Sequence, residues 1–111
     1  MFAGLISREQ PVAAWGDPEH ILTALAPYSA QAPRDVWRDS RHCLMQVATR
    51  SGATTAGIYR HSDSGLAVAF WGRLDNRPDL KAQLGAGHDA VDEALVALAW
   101  LKWGEHAAEH L

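Results

Sequence analysis

One stretch constrains the fold more than any other. A helix opened by His88 or Asp89 and closed at Gly104 has apolar residues around more than half of its circumference. Val91, Ala94, Leu95, Leu98 and Leu101 make one stripe, and Val96, Ala99, Trp100 and Trp103 add a second face. A helix of this kind needs cover on two sides. The segments before it supply candidates. Phe2–Ser7 reads as a short buried strand, and Pro18–Leu25 as a helix with Asp17 as cap and Pro18 at its first position. Pro27–Asp35 holds Pro27, Ser29, Pro33 and Asp35 and reads as a loop.

A β-rich region follows. His42–Thr49 is strand-like, Ser51-Gly52-Ala53 supplies a turn, and Thr54–His61 alternates with β-branched and aromatic residues. Ser62-Asp63-Ser64-Gly65 is a hairpin turn signal. Leu66–Trp71 is nearly continuous in apolar residues, the pattern of a strand covered on both faces. Asn76-Arg77-Pro78-Asp79 then opens a helix of about two turns that Gly85 stops. Strand, helix, several strands and then helices predict a layered α+β domain. At 111 residues and 48% hydrophobic content, one domain with a modest core is expected.

Charge narrows the partners. A net charge of -3 with scattered Lys and Arg gives no electrostatic footprint for nucleic acid. Phe2–Ile6, followed by Arg8 and Glu9, lacks the order of a signal peptide, and Leu66–Trp71 is too short to span a bilayer. A cytoplasmic protein with neither a nucleic-acid nor a membrane partner is expected.

The chemistry-bearing residues are sparse. His106 and His110 stand four apart and would share a face if the helix continued. No HExxH or Cys/His cluster accompanies them, so no metal is expected. Cys43, the single cysteine, reads as a buried thiol; as a nucleophile it would need a histidine in space, and His42 points to the opposite strand face. There is no GxSxG elbow and no glycine-rich phosphate loop. The five tryptophans read as packing residues.

A pattern of another kind is present. Met1-Phe2-Ala3-Gly4-Leu5-Ile6 resembles the M-C-G-I-A-G opening of class II glutamine amidotransferases. Ala69-Phe70-Trp71-Gly72-Arg73-Leu74-Asp75-Asn76-Arg77-Pro78-Asp79-Leu80 is similar to that family's strand-to-helix segment, N-G-E-I-Y-N-x-x-x-L. Asp89–Gly104 resembles a helix that begins with an S-D-x-E-like cap and ends in W-G-E, as in asparagine synthetases. The resemblance implies an α/β/β/α sandwich of the N-terminal nucleophile hydrolase type. There an N-terminal cysteine attacks the glutamine amide, with its own amino group as base.

Departures from the family pattern imply that this chemistry is lost. Phe2 stands where the cysteine is required, and a phenyl ring cannot attack a carbonyl. Trp71 stands where an asparagine helps form the oxyanion hole, although Gly72 is kept; losing one such donor costs roughly two to three orders of magnitude in rate. Arg73 replaces the usual acid after that glycine. Asp92 matches the acid that holds the substrate's amino group, but a capping role at a helix N-terminus is the favoured reading. Phe2 and Trp71 are expected to fill the former pocket.

Similar inactive domains occur in β-lactam synthetases and in lasso peptide cyclases. Their ATP- and Mg-dependent chemistry belongs to a synthetase domain, so no cofactor is expected in this chain. The family's SGGxDS-like loop and G-x-F-A-F-x-x-W-D segment are not found, so the chain reads as a truncated sandwich. The implied partners are a second copy of the chain in a homodimer, a synthetase domain, or a peptide substrate. The rival readings are a stand-alone dimeric interaction module without enzymatic activity, and a hydrolase that uses Cys43.

Overall fold

The computed structural model describes residues 2–6, 17, 19–25, 34–47 and 57–111. The architecture is mixed: helices with two small antiparallel sheets, in an α+β arrangement. Two compact units divide the chain, Met1–Ile58 and Tyr59–Leu111.

The first unit contains β1 (Phe2–Ile6), α1 (Glu19–Leu25), β2 (Arg34–Arg38) and β3 (His42–Val47). Its sheet is antiparallel in the order β1-β3-β2, with Phe2 opposite Gln46 and Trp37 opposite Leu44. Cys43, Met45 and Val47 alternate along β3 and face the same side, where Leu22 of α1 covers them. Seven residues are too few for a helix to stand alone in water, so this contact is what holds α1.

Strand β2 corrects the sequence reading, which had Arg34 and Asp35 in or beside a loop. Only Val36 and Trp37 are apolar in it, and charged residues flank them. Such a sequence is tolerated at a sheet edge, where charge discourages further pairing. Asp35 is also fixed from outside the sheet, since its Oδ2 accepts from the Ile58 amide at 2.9 Å. The expected turn at Ser51–Ala53 and the residues 54–56 of the expected Thr54–His61 strand lie outside the described residues.

Asp39 closes the β2–β3 hairpin. Its Oδ1 accepts from the amides of Arg41 at 2.6 Å and His42 at 2.7 Å, and its Oδ2 lies 2.9 Å from His42 Nδ1. The Arg41 amide bond and then the His42 side chain hold the Asp39 carboxyl down at about 2, below its ordinary 3.8. The depressed value means that the charged turn stabilises the fold in full above pH 3.8. That contribution is lost as pH falls through about 2. A carboxyl-carbon NMR titration of Asp39 is expected to show a midpoint near 2, and a midpoint at 3.8 would contradict this turn.

The second unit contains β4 (Tyr59–Arg60), β5 (Ala67–Val68), α2 (Arg77–Leu84) and α3 (Asp92–Trp103), then a 3₁₀ helix, Gly104–Glu109. The hairpin turn falls where the sequence puts it. The His61 amide donates to Leu66 O at 2.8 Å, and Gly65 supplies the left-handed backbone with φ 69°. The ladder itself pairs only Tyr59 with Val68 and Arg60 with Ala67. The long strand expected over Leu66–Trp71 therefore shortens to two residues. Past Val68 the chain leaves the ladder and bends at Gly72, over which the Phe70 ring lies so closely that a Cβ there would come within 2.8 Å of Phe70 Cζ. Phe70 joins a core of Leu74, Leu80 and Leu95, so part of the apolar run is covered by side chains of this core rather than by a sheet.

Helix α2 follows its sequence signals, with Pro78 in the first turn and Gly85 at φ 64° ending it. Helix α3 starts at Asp92, later than the expected His88 or Asp89. The Ala90 amide donates to Gly87 O at 3.1 Å, which closes residues 87–90 into a separate turn. Along α3, Ala94, Leu95, Ala97 and Ala99 are buried, whereas Val91, Trp100 and Leu101 are exposed. The two-sided cover expected for the helix is thus partial. No helix among the described residues is long and apolar enough to cross a membrane.

Candidate functional site

The second unit has an open cleft of about 290 Å³ lined by Phe70, Trp71, Gly72, Arg77, Val91, Asp92 and Glu93. Three stretches of chain meet there: the segment after β5, the first turn of α2 and the first turn of α3. The bend at Gly72 turns the chain after Trp71, and the burial of Leu74 and Leu80 anchors the segment that leads into α2.

Arg77 ties the helices together. Its Nη2 donates to Ala90 O at 3.0 Å, and its Nη1 lies 2.8 Å from Asp92 Oδ1. The second contact is an ion pair without hydrogen-bond alignment, which leaves Asp92 Oδ1 buried and without a hydrogen-bond donor. Asp92 also sits in the first turn of α3, where the helix dipole favours a carboxylate. Its side chain makes no capping hydrogen bond, and Val91 holds the cap position. Beside the cleft, Asn76 Nδ2 donates to His110 O at 2.8 Å and fastens the 3₁₀ helix to the start of α2.

Of the positions singled out in the sequence, Trp71, Gly72 and Asp92 are brought together. Arg73 is a neighbour in sequence only: its Nη2 pairs with Asp75 Oδ1 at 2.5 Å, and both side chains are in solvent. Phe2 opens β1 in the first unit. Trp71 does not fill a closed pocket as expected, since it is 67% exposed. Trp100 is also half exposed, which corrects the reading of the tryptophans as packing residues, while Trp103 does join the core. The sequence reading missed Phe70, Arg77, Val91 and Glu93 as members of one site. Arg77 beside Pro78 signals a helix start, and nothing local shows that its guanidinium reaches the next helix.

Other candidates separate. Cys43 is completely buried, and burial pushes its thiol pKa up, so it is not a poised nucleophile. His106 and His110 do not share a face, because a 3₁₀ helix repeats every three residues. His106 lies 3.1 Å from Glu109, and His110 stacks on Trp103 with ring centroids 4.1 Å apart. Among the described residues no group of three His, Cys, Asp or Glu could hold a metal ion.

The cleft presents an exposed indole, two carboxylates and one guanidinium, groups able to hold a polar ligand. No family model, no curated protein and no solved structure matches the chain. The functional reading therefore stands on the residues and their placement.

Proposed function

We propose that this chain is a non-catalytic, glutaminase-like domain that serves as scaffold or docking module for an ATP-dependent amide ligase of the asparagine synthetase type. Within that group, a lasso peptide cyclase-like ligase is the reading we favour. On this reading the two units are parts of one α/β/β/α sandwich, and the protein works in the cytoplasm. The observation that carries it is the cleft, which gathers Trp71, Gly72 and Asp92 from segments far apart in sequence. By the resemblance, these positions correspond to the lost oxyanion donor, the retained glycine and the retained acid. Phe2 in place of a thiol supports the same reading. ATP and Mg belong on this view to a synthetase domain, and no step is assigned to them here.

A diazo-ketone analogue of glutamine tests the loss of the nucleophile, because it alkylates an activated N-terminal thiol. Intact-mass measurement is expected to show an unchanged protein. A stoichiometric adduct would overturn the proposal.

A second reading, a stand-alone dimeric interaction module, is favoured by the exposure of Trp100 and Leu101 on α3. Light scattering across a dilution series separates the two. A dimer that persists on dilution supports the module, and a monomer supports a domain that docks on a ligase.

A further inference from the structure

We propose that the cleft of the second unit docks a peptide segment through one basic side chain, lysine or arginine, laid on Trp71 and met by Glu93. Three observations converge on that occupant. The first is shape: Phe70, Trp71 and Val91 give an open cleft an apolar wall, with Trp71 and Val91 left largely to solvent. Tryptophan is the side chain whose aromatic face attracts a cation most strongly, and Trp71 is exposed where it lines the cleft.

The second is charge. Residues 59–111 hold eight acidic residues against five Lys and Arg, so this unit carries the chain's whole net charge of -3. In the stretch 70–93 that forms the cleft and its surroundings, Asp75, Asp79, Asp89, Asp92 and Glu93 outnumber Arg73, Arg77 and Lys81. The complement of such a surface is a basic partner.

The third is how the charges inside the cleft are already committed. Arg77, the cation that lines the cleft, is held by Asp92 and by Ala90 O. Glu93 has no ion-pair partner among the described residues. The positive end of α3 offsets about half a charge, against the full charge of Glu93. The remainder is negative and belongs to the cleft that Trp71 also lines. An anionic ligand would compete with Asp92 for the Arg77 guanidinium and meet the unpaired Glu93 carboxylate, whereas a cation meets neither obstacle.

This inference stands apart from the amide-ligase reading, since it invokes neither glutamine nor ATP. The test uses the full chain and three hexapeptides of glycine and serine that carry a single central arginine, glutamine or glutamate. Binding is followed by calorimetry and by the indole N–H signals in NMR spectra. The arginine peptide is expected to bind saturably, about tenfold more tightly than the glutamine peptide, and to weaken as salt is raised. Trp71→Ala and Glu93→Gln are each expected to weaken it by about three- to tenfold. Trp71 is exposed and Glu93→Gln keeps the side chain's shape, so circular dichroism is expected to report an unchanged fold. Equal binding of the three peptides, a preference for glutamate, or wild-type affinity in Glu93→Gln would each overturn the proposal.

Discussion

Leu95→Ala is expected to destabilise the second unit by about 2–5 kcal/mol, the range for a leucine truncated where the surroundings cannot collapse. Leu95 is 0% exposed and packs with Leu74 and Leu80 at the point where α2 and α3 meet. The cavity would open behind the elements that carry Arg77 and Asp92, so cleft and core fail together. Leu101→Ala is the comparison. That residue lies on the same helix but is 44% exposed, and its truncation is expected to cost within about 1 kcal/mol. Urea unfolding of both variants reads the difference. Equal losses would mean that Leu101 is covered in solution, as the dimeric reading requires.

Arg77→Ala carries the second large effect. The substitution removes the bond to Ala90 O and leaves Asp92, only 18% exposed at its side chain, without its counter-charge. Breaking one partner of a fully buried pair costs more than most other single changes, because the remaining charge is stranded. The Arg77 side chain is 42% exposed, so solvent screens part of this, and the expected loss is about 1–3 kcal/mol. Adding Asp92→Asn removes the stranded charge, and the double variant is expected to recover a substantial part of the loss. If Arg77→Ala costs nothing by urea unfolding, the ion pair does not join the helices in solution.

Local signals made part of this structure legible. Pro78 and Gly85 bracket α2 because each acts through its own backbone: one presets φ, the other accepts a left-handed conformation. The turn at Ser62–Gly65 is equally self-contained. The errors arise where a distant residue decides. Asp89 looks like a helix cap, but the turn closed by Ala90 and the reach of Arg77 to Ala90 O keep residues 87–90 out of α3. Strand β2 exists because β3 offers it an edge, and its own residues, Arg34, Asp35 and Arg38 among them, argue otherwise. Leu66–Trp71 shows both sides of this. Its residues up to Phe70 are only half-buried, short of the cover on both faces that the apolar run suggests, and the bend at Gly72 and the exposure of Trp71 cannot be read from hydrophobicity.

The site was legible in the same partial way. Trp71, Gly72 and Asp92 were singled out by a resemblance that spans two separated motifs, and they line one cleft. Glu93 and Val91 adjoin Asp92 in sequence, and nothing in their neighbours marks them as lining the same cleft as Trp71. Arg77 was hidden because a first-turn arginine beside a proline has a sufficient local explanation.

The central proposal is that this chain is a glutaminase-like domain that binds without catalysing. Glutamine-dependent ammonia release by the purified full chain tests it most directly, measured beside a Cys43→Ala variant so that the one thiol is accounted for. The account predicts no release above the uncatalysed background in either protein, because Phe2 offers no nucleophile and Cys43 is buried. Saturable release that scales with protein and survives Cys43→Ala would contradict it, because the chain would then be an active amidotransferase by some other nucleophile.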